Sequence, residues 1–415
     1  MDNDFLFLPC AQGSEALLAE ECLRICGPDA GVEAGRGGVM VDASVEHAMR
    51  LNLHSRIAQR VLWPLVDAPY ASEDDLYALA RRVRWSDWIT PEETLRVDVS
   101  AQRSPLQSLN FAGLRIKDAV CDAMRESSGS RPSVDTRRPD LAISLHVDAT
   151  HAWLAIDLSG EALFKRGWRE LQGEAPLKET LAATMLAAAG WTGAAGQGGL
   201  LDPCCGAGTI AIEAAQVACG VAPGLTRQFA FEQLRPFRDH ARRWDDLLAE
   251  ARERVHAPAA PIWAGDVSFR MTDFAARNAE RAGVAHAIEF KTADALQRMP
   301  PAASGTIVMN PPYGERIEAK GRGSQAPRTF TVGGGRESAV VTGQGQDQAG
   351  AGEFFAQLAS HWKRNYSGWT AWVLSPDMKL PGAMRLKESR RVPMWNGPIE
   401  CRLFRFDMVA GSARA

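Results

Sequence analysis

From about residue 176 onward the chain alternates short apolar runs with amphipathic stretches, and this alternation constrains its fold more than any other feature. Gly199-Leu200-Leu201 precedes a helical pattern over 209–218. Residues 238–255 set Ala241, Trp244, Leu248, Ala251 and Val255 on one helical face. An apolar run at 262–264 precedes another helical stretch at 271–282, and further runs fall at 288–291, 306–309 and 369–374. Short strands separated by helices pair in parallel, so the expectation is an α/β fold with a doubly wound, mostly parallel sheet. Asn396-Gly397 is a hairpin signal ahead of 399–408, so an antiparallel strand is expected to close that sheet.

The first half has a different rhythm. Residues 1–54 suggest a small α+β unit: an apolar run at 5–8, a helix behind Ser14 with Leu17, Leu18, Cys22 and Ile25 on one side, a strand at Val39-Met40-Val41, and a helix behind Ser44. Residues 55–165 suggest a second α+β unit. There Leu95, Val97 and Val99 alternate with Arg96, Asp98 and Ser100, a helix covers 112–126, and strands cover 141–147 and 153–158. The expected third unit is 171–410. Its stretch 319–352 holds nine of the chain's 37 Gly and has no hydrophobic period. It is either a segment that orders over a bound partner or an insertion without function.

Charge limits the partners. The chain has 47 Lys and Arg against 50 Asp and Glu. Residues 1–170 carry 19 basic and 26 acidic residues, and 171–415 carry 28 and 24. Neither half is a general polycation, so nucleic-acid binding has to use local patches. Two basic stretches stand out in the acidic half: Arg131 with Arg137 and Arg138, and Lys165-Arg166-Gly167-Trp168-Arg169. On residues alone they suit solvated loops at least as well as a binding surface. Trp63 is expected in the core, and Trp168 is open between core and base stacking. No apolar run reaches the roughly 18 residues that span a bilayer. The acidic start lacks the basic region of a signal peptide, and the eight Cys form no CxxC pair. A cytoplasmic protein with reduced thiols, no membrane segment and no metal site is expected; the oligomeric state is open.

The chemistry-bearing residues fall at strand ends. Asp202-Pro203-Cys204-Cys205-Gly206-Ala207-Gly208-Thr209 follows a strand and opens a helix. Gly206 and Gly208 permit a tight turn and close backbone approach by a ligand. The motif lacks the GKS or GKT ending of a phosphate loop, and the acid argues for a ligand bearing a cation or ribose hydroxyls. Asp266 ends the next strand, where acids accept hydrogen bonds from ribose, and Asp294 ends another, where it could accept from an adenine amine. Asn310-Pro311-Pro312-Tyr313 follows the strand at 306–309. The prolines stiffen that turn. The Asn310 oxygen and a neighbouring carbonyl can then accept from an amino group, raising electron density on its nitrogen, while Tyr313 offers a face to a planar group. Such a site suits methylation of an amine by positioning and electrostatics.

These motifs resemble those of class I S-adenosylmethionine-dependent methyltransferases with an NPPY signature. The closer resemblance, over nearly the whole chain, is to the bacterial 23S rRNA guanine-N2 methyltransferases of the L type. It is carried by Ala175-Pro176-Leu177-Lys178-Glu179-Thr180, Leu201-Asp202-Pro203, Cys205-Gly206-Ala207-Gly208-Thr209 and Asn310-Pro311-Pro312-Tyr313-Gly314-Glu315-Arg316, with 148–160 and Arg166-Gly167-Trp168-Arg169 similar to the end of a THUMP domain. The resemblance implies a Rossmann-like methyltransferase domain behind ferredoxin-like and THUMP-like RNA-binding units. It implies S-adenosylmethionine as cofactor, held by Lys178, Glu179, Thr180, Asp202, Pro203, Gly206, Gly208, Thr209, Asp266, Asp294 and Asn310. Catalysis would fall to Asn310, Pro311, Pro312 and Tyr313. RNA contacts would fall to Arg131, Arg137, Arg138, Lys165, Arg166 and Arg169, with 23S rRNA or a large-subunit precursor as partner. Ser268 stands where the family often has a second acid, a departure at the ribose contact. No fused second methyltransferase domain is expected from a chain of this length. The same chemistry on a tRNA guanine, an adenine N6 or a protein glutamine is the alternative, as is an RNA-binding assembly factor without turnover.

Overall fold

The computed structural model describes residues 5–171, 177–311 and 347–409. In the first part β1 (Phe5–Pro9), α1 (Glu15–Cys26), β2 (Val32–Gly35), β3 (Gly38–Asp42) and α2 (Val45–His54) follow one another. The Ser44 side chain accepts from the His47 amide and starts α2. Then come β4 (Leu62–Pro69), α3 (Glu73–Arg81), β5 (Thr94–Ala101), α4 (Leu109–Ser128), β6 (Ser133–Val134), β7 (Leu141–Val147) and β8 (His151–Asp157). Ser72 and Asp75 form a capping box that fixes the start of α3.

These strands form one eight-stranded sheet in the order β2-β3-β1-β4-β8-β7-β5-β6. The two α+β units read from the sequence are therefore joined edge to edge, through the single pairing Phe7↔Leu62. Leu141, Ile143, Leu145 and Val147 of β7 are buried together with Ala152, Leu154 and Ile156 of β8, while the alternate residues include exposed Trp153 and partly exposed His146. Trp63 is in the core, edge-on to Trp88 and Phe237, as its sequence context predicts.

The second part contains α5 (Glu179–Ala188), β9 (Gly199–Asp202), α6 (Thr209–Ala218), α7 (Ala241–Glu253), β10 (Ile262–Asp266), α8 (Phe269–Arg281), β11 (Ile288–Thr292) and β12 (Gly305–Met309). It ends with α9 (Asp347–Asn365), β13 (Trp369–Ser375), α10 (Leu380–Met384), β14 (Arg390–Asn396) and β15 (Ile399–Asp407). The sheet order is β11-β10-β9-β12-β13-β15-β14. The first five strands are parallel and β15 is antiparallel to both neighbours, as the alternation and the Asn396-Gly397 turn imply. The helix expected from residue 238 begins later. Residues Arg235–His240 form a 3₁₀ segment with Pro236 in its first turn, and α7 follows. The Gly-rich stretch 319–352 lies outside the described residues up to 346, and its end belongs to α9.

Candidate functional site at the strand ends

Strands β11, β10, β9 and β12 are parallel neighbours, so their carboxyl ends share one edge of the sheet. Across that edge stand Asp294 after β11, Asp266 ending β10, Asp202 ending β9 and Asn310 after β12. Their spatial order, 294-266-202-310, differs from their chain order because the sheet winds outward from β9 in both directions.

Asp202 is fully buried. Its Oδ1 accepts from the Cys204 amide at 3.3 Å, and its Oδ2 is buried with no hydrogen-bond partner. Burial pushes the Asp202 carboxyl up to about 8. An unpartnered buried carboxylate oxygen fits a cationic or hydrogen-bond-donating ligand. Asp266 accepts from the amides of Gly206 at 3.1 Å and Ser268 at 2.9 Å, tying the glycine turn to the next strand. Asp294 accepts from the Leu296 amide at 2.9 Å and so holds the turn after β11.

Gly206 and Gly208 both have positive φ, +52° and +89°. A Cβ at Gly206 would meet nothing within 4 Å, whereas one at Gly208 would stand 2.9 Å from the Ala275 Cβ of α8. The first glycine therefore borders open space, and the second lets α6 close against α8. Thr209, the first residue of α6, and Pro203 are buried. Burial holds the Cys204 and Cys205 thiols well above their usual range, which leaves them poor nucleophiles. Asn310 is half-buried and Pro311 buried; Pro312 and Tyr313 lie outside the described residues. Val267 and Phe269, on either side of Ser268, are 72% and 75% exposed at this edge of the sheet.

At the entry to this half, Lys178 directly precedes α5 and sets its ammonium 4.9 Å from the Phe164 ring centroid. Glu179 and Thr180 are buried in the first turn of α5. The Glu179 carboxylate is engaged by Arg169 Nε at 2.7 Å, and burial raises its pKa despite that partner.

The structure corrects two of the basic residues expected to meet RNA. Arg166 is 2% exposed. It donates to Glu213 at 3.1 Å and to the carbonyls of Leu163 and Arg56, both at 2.7 Å. With Arg56 it forms a buried brace around Glu213, so phosphate cannot reach it. Arg169 is likewise turned inward, onto Glu179, the Leu177 carbonyl and the Thr209 hydroxyl. Trp168 beside it is buried in the core of this half, which settles its role as packing.

Arg131, Arg137 and Arg138 are exposed, and Lys165 is exposed beside Glu161. The outward face of the N-terminal sheet adds a feature that the sequence reading passed over. Trp153, 37% exposed, lies with its ring 5.6 Å from His146 and 5.9 Å from His151. The Ser100 hydroxyl lies 2.9 Å from His146 Nδ1 and holds that ring. On the same face, Arg96 donates to the Thr136 carbonyl, next to Arg137. An aromatic residue in the polar phase of a strand was the available signal. A separate cleft of about 490 Å³, lined by residues including Arg24, Ser44, His47 and Arg50, contains none of the motif residues. Among the described residues no group of three or more His, Cys, Asp or Glu could hold a metal ion, and no helix is long and apolar enough to cross a membrane.

Comparison with known proteins agrees with this architecture. Residues 5–62 match the RlmL ferredoxin-like domain, 70–157 the THUMP domain, and 166–331 the RMKL-like methyltransferase domain. The ribosomal RNA large subunit methyltransferase K/L of Syntrophotalea carbinolica is 37% identical over 99% of this chain and 54% of its own length. The protein of that name from Shewanella amazonensis is 34% identical over 98% of this chain and 54% of its own. The chain thus spans about half the length of the curated relatives it matches. The crystal structure of a possible methylase from Clostridium difficile superposes with a TM-score of 0.81 at 26% identity, covering 97% of this chain and 98% of that one. In chain order, residues 5–62, 70–157 and 166–331 thus match an RlmL ferredoxin-like domain, a THUMP domain and an RMKL-like methyltransferase domain.

Proposed function

We propose that this chain is a cytoplasmic S-adenosylmethionine-dependent methyltransferase that modifies the exocyclic N2 amine of a guanine in 23S rRNA. The observation that carries the reading is the row Asp294, Asp266, Asp202, Asn310 across four adjacent strand ends. A cofactor laid along it would meet Asp294 with its adenine and Asp266 with its ribose. Its methionine end would lie at Asp202 and the glycine turn, and its methyl would face Asn310. The open space over Gly206 and the unpartnered Asp202 Oδ2 fit such a ligand. The names of the relatives support rRNA as substrate.

When bound, S-adenosylmethionine would supply an electrophilic sulfonium methyl for the target amine. Asn310 accepts a hydrogen bond from the target amine and aims its lone pair, so the residue acts by orientation and electrostatics. Pro311 holds that turn rigid. A guanine amine inside a duplex is hidden, so the target base is unpaired or extruded before transfer.

On the RNA side, Arg131, Arg137 and Arg138 would contact phosphates and Trp153 would stack an unpaired base. The direct test incubates the full chain with methyl-labelled cofactor and large-subunit rRNA, then digests the RNA to nucleosides. N2-methylguanosine is the expected product. Label confined to adenosine, to tRNA or to protein glutamine would redirect the substrate assignment, and absence of both transfer and cofactor binding would reject the enzyme reading.

A further inference from the structure

One buried amide joins the linker behind the THUMP domain to the glycine turn. Asn278 lies in the last turn of α8 and is 0% exposed. Its Nδ2 donates to the Leu171 carbonyl at 2.8 Å and to the Ala207 carbonyl at 3.0 Å. Its Oδ1 accepts from the Leu171 amide at 3.4 Å and from Arg281 Nη2 at 2.6 Å. Arg281 also donates to the Trp168 carbonyl at 3.0 Å, so α8 grips the linker at two points. A buried amide is costly unless its groups are engaged, and here both its amine and its oxygen have partners. One turn earlier in α8, Ala275 packs against Gly208.

Arg169 is the second strut. From the same linker it reaches the Thr209 hydroxyl at 2.8 Å, the Leu177 carbonyl at 3.0 Å and Glu179 at 2.7 Å. The two struts land on either side of Gly208: Asn278 on the carbonyl of Ala207, Arg169 on the side chain of Thr209. Two anchors fix the orientation of a turn whose glycines would otherwise leave it loose.

We propose that Asn278, seconded by Arg169, is a positioning residue for cofactor binding. It holds the 206–209 turn against the docked linker, so cofactor affinity depends on the segment that connects the RNA-binding half. The proposal rests on the cofactor reading above. Outer groups that lock a binding loop are as necessary to its geometry as the groups that touch the ligand.

The test uses the full chain with S-adenosylhomocysteine as probe, measured by calorimetry. Asn278→Asp keeps the shape and Oδ1 but turns an acceptor toward the carbonyls of Ala207 and Leu171. Its dissociation constant should rise about tenfold, the consequence of opposing unpaired acceptors in a buried site. Arg169→Lys keeps the cation for Glu179 but cannot span Thr209 and Leu177 together, and a rise of about threefold is expected on the same ground. RNA affinity should stay within about twofold, and single-turnover transfer at saturating cofactor within about threefold of wild type, so the loss appears in KM. A merely structural role would lower the melting temperature and leave cofactor affinity of the folded protein unchanged. If Asn278→Asp fails to fold, Arg169→Lys decides. Wild-type-like affinity in the folded variants overturns the positioning role alone, whereas a wild-type chain that binds no S-adenosylhomocysteine overturns the cofactor reading beneath it.

Discussion

The strand-end row and the outward face of the THUMP half hold polar groups in opposite ways. At the strand ends Asp202 is buried, Asp266 and Asp294 each accept from backbone amides, and the glycine turn is clamped from below. On the THUMP face Arg137 and Arg138 are exposed on a turn, and Trp153 keeps one part of its ring open beside His146 and His151. The first arrangement is preorganised, as chemistry on a positioned atom requires. The second is adaptable and suits a backbone of repeated charges with stackable bases. Mutations in the two regions should therefore separate cleanly, the first acting on transfer and cofactor, the second on RNA.

The largest expected effect is at Asn310. Asn310→Ala removes an acceptor for the amine and should slow single-turnover transfer by on the order of 10²–10³, with cofactor affinity retained. A loss below about threefold would detach Asn310 from the reacting atoms. Next, Asp294→Ala should weaken cofactor binding by about 1–3 kcal/mol and leave RNA affinity nearly unchanged. Equal losses on both ligands would blur the division between the regions. Trp153→Ala provides the mirror experiment: about 1–3 kcal/mol off RNA binding by filter retention, with none off cofactor binding.

The pH prediction concerns Asp202. Its folded pKa is raised by burial to about 8. A raised folded pKa means that the stability contribution is complete below the unfolded value near 3.9 and is lost as pH rises through 8. Asp202→Asn should therefore melt increasingly above wild type as pH climbs through that window, in ligand-free protein, while binding cofactor less well. Parallel melting profiles across pH would show that the buried carboxyl is not strained. The smallest effect is expected from charge reversal at Arg137 and Arg138. Each lost phosphate contact should reduce the salt slope of RNA binding by roughly 0.7, without changing cofactor affinity.

Legibility differs between the regions for the same reason. The strand-end acids and glycines were readable because short apolar runs mark strand ends and turn geometry restricts residue choice. The order of the acids across the sheet was not, since it depends on which strands pair. The pairing of β1 with β4 rests on one residue pair and left no local signal. Arg166 and Arg169 look like solvated cations in sequence, yet Glu213, 47 residues downstream, and Glu179 draw them inward. Asn278 carries only a weak mark, a polar residue among small ones on the buried face of α8, which gains meaning only once Leu171 and Ala207 stand beside it.

The most direct test of the strand-end account is a structure of the full chain with S-adenosylhomocysteine. The account predicts adenine at Asp294, ribose hydroxyls at Asp266, and the sulfur between the glycine turn and Asn310. A ligand lying in the reverse direction, or bound away from Asp202, would contradict it.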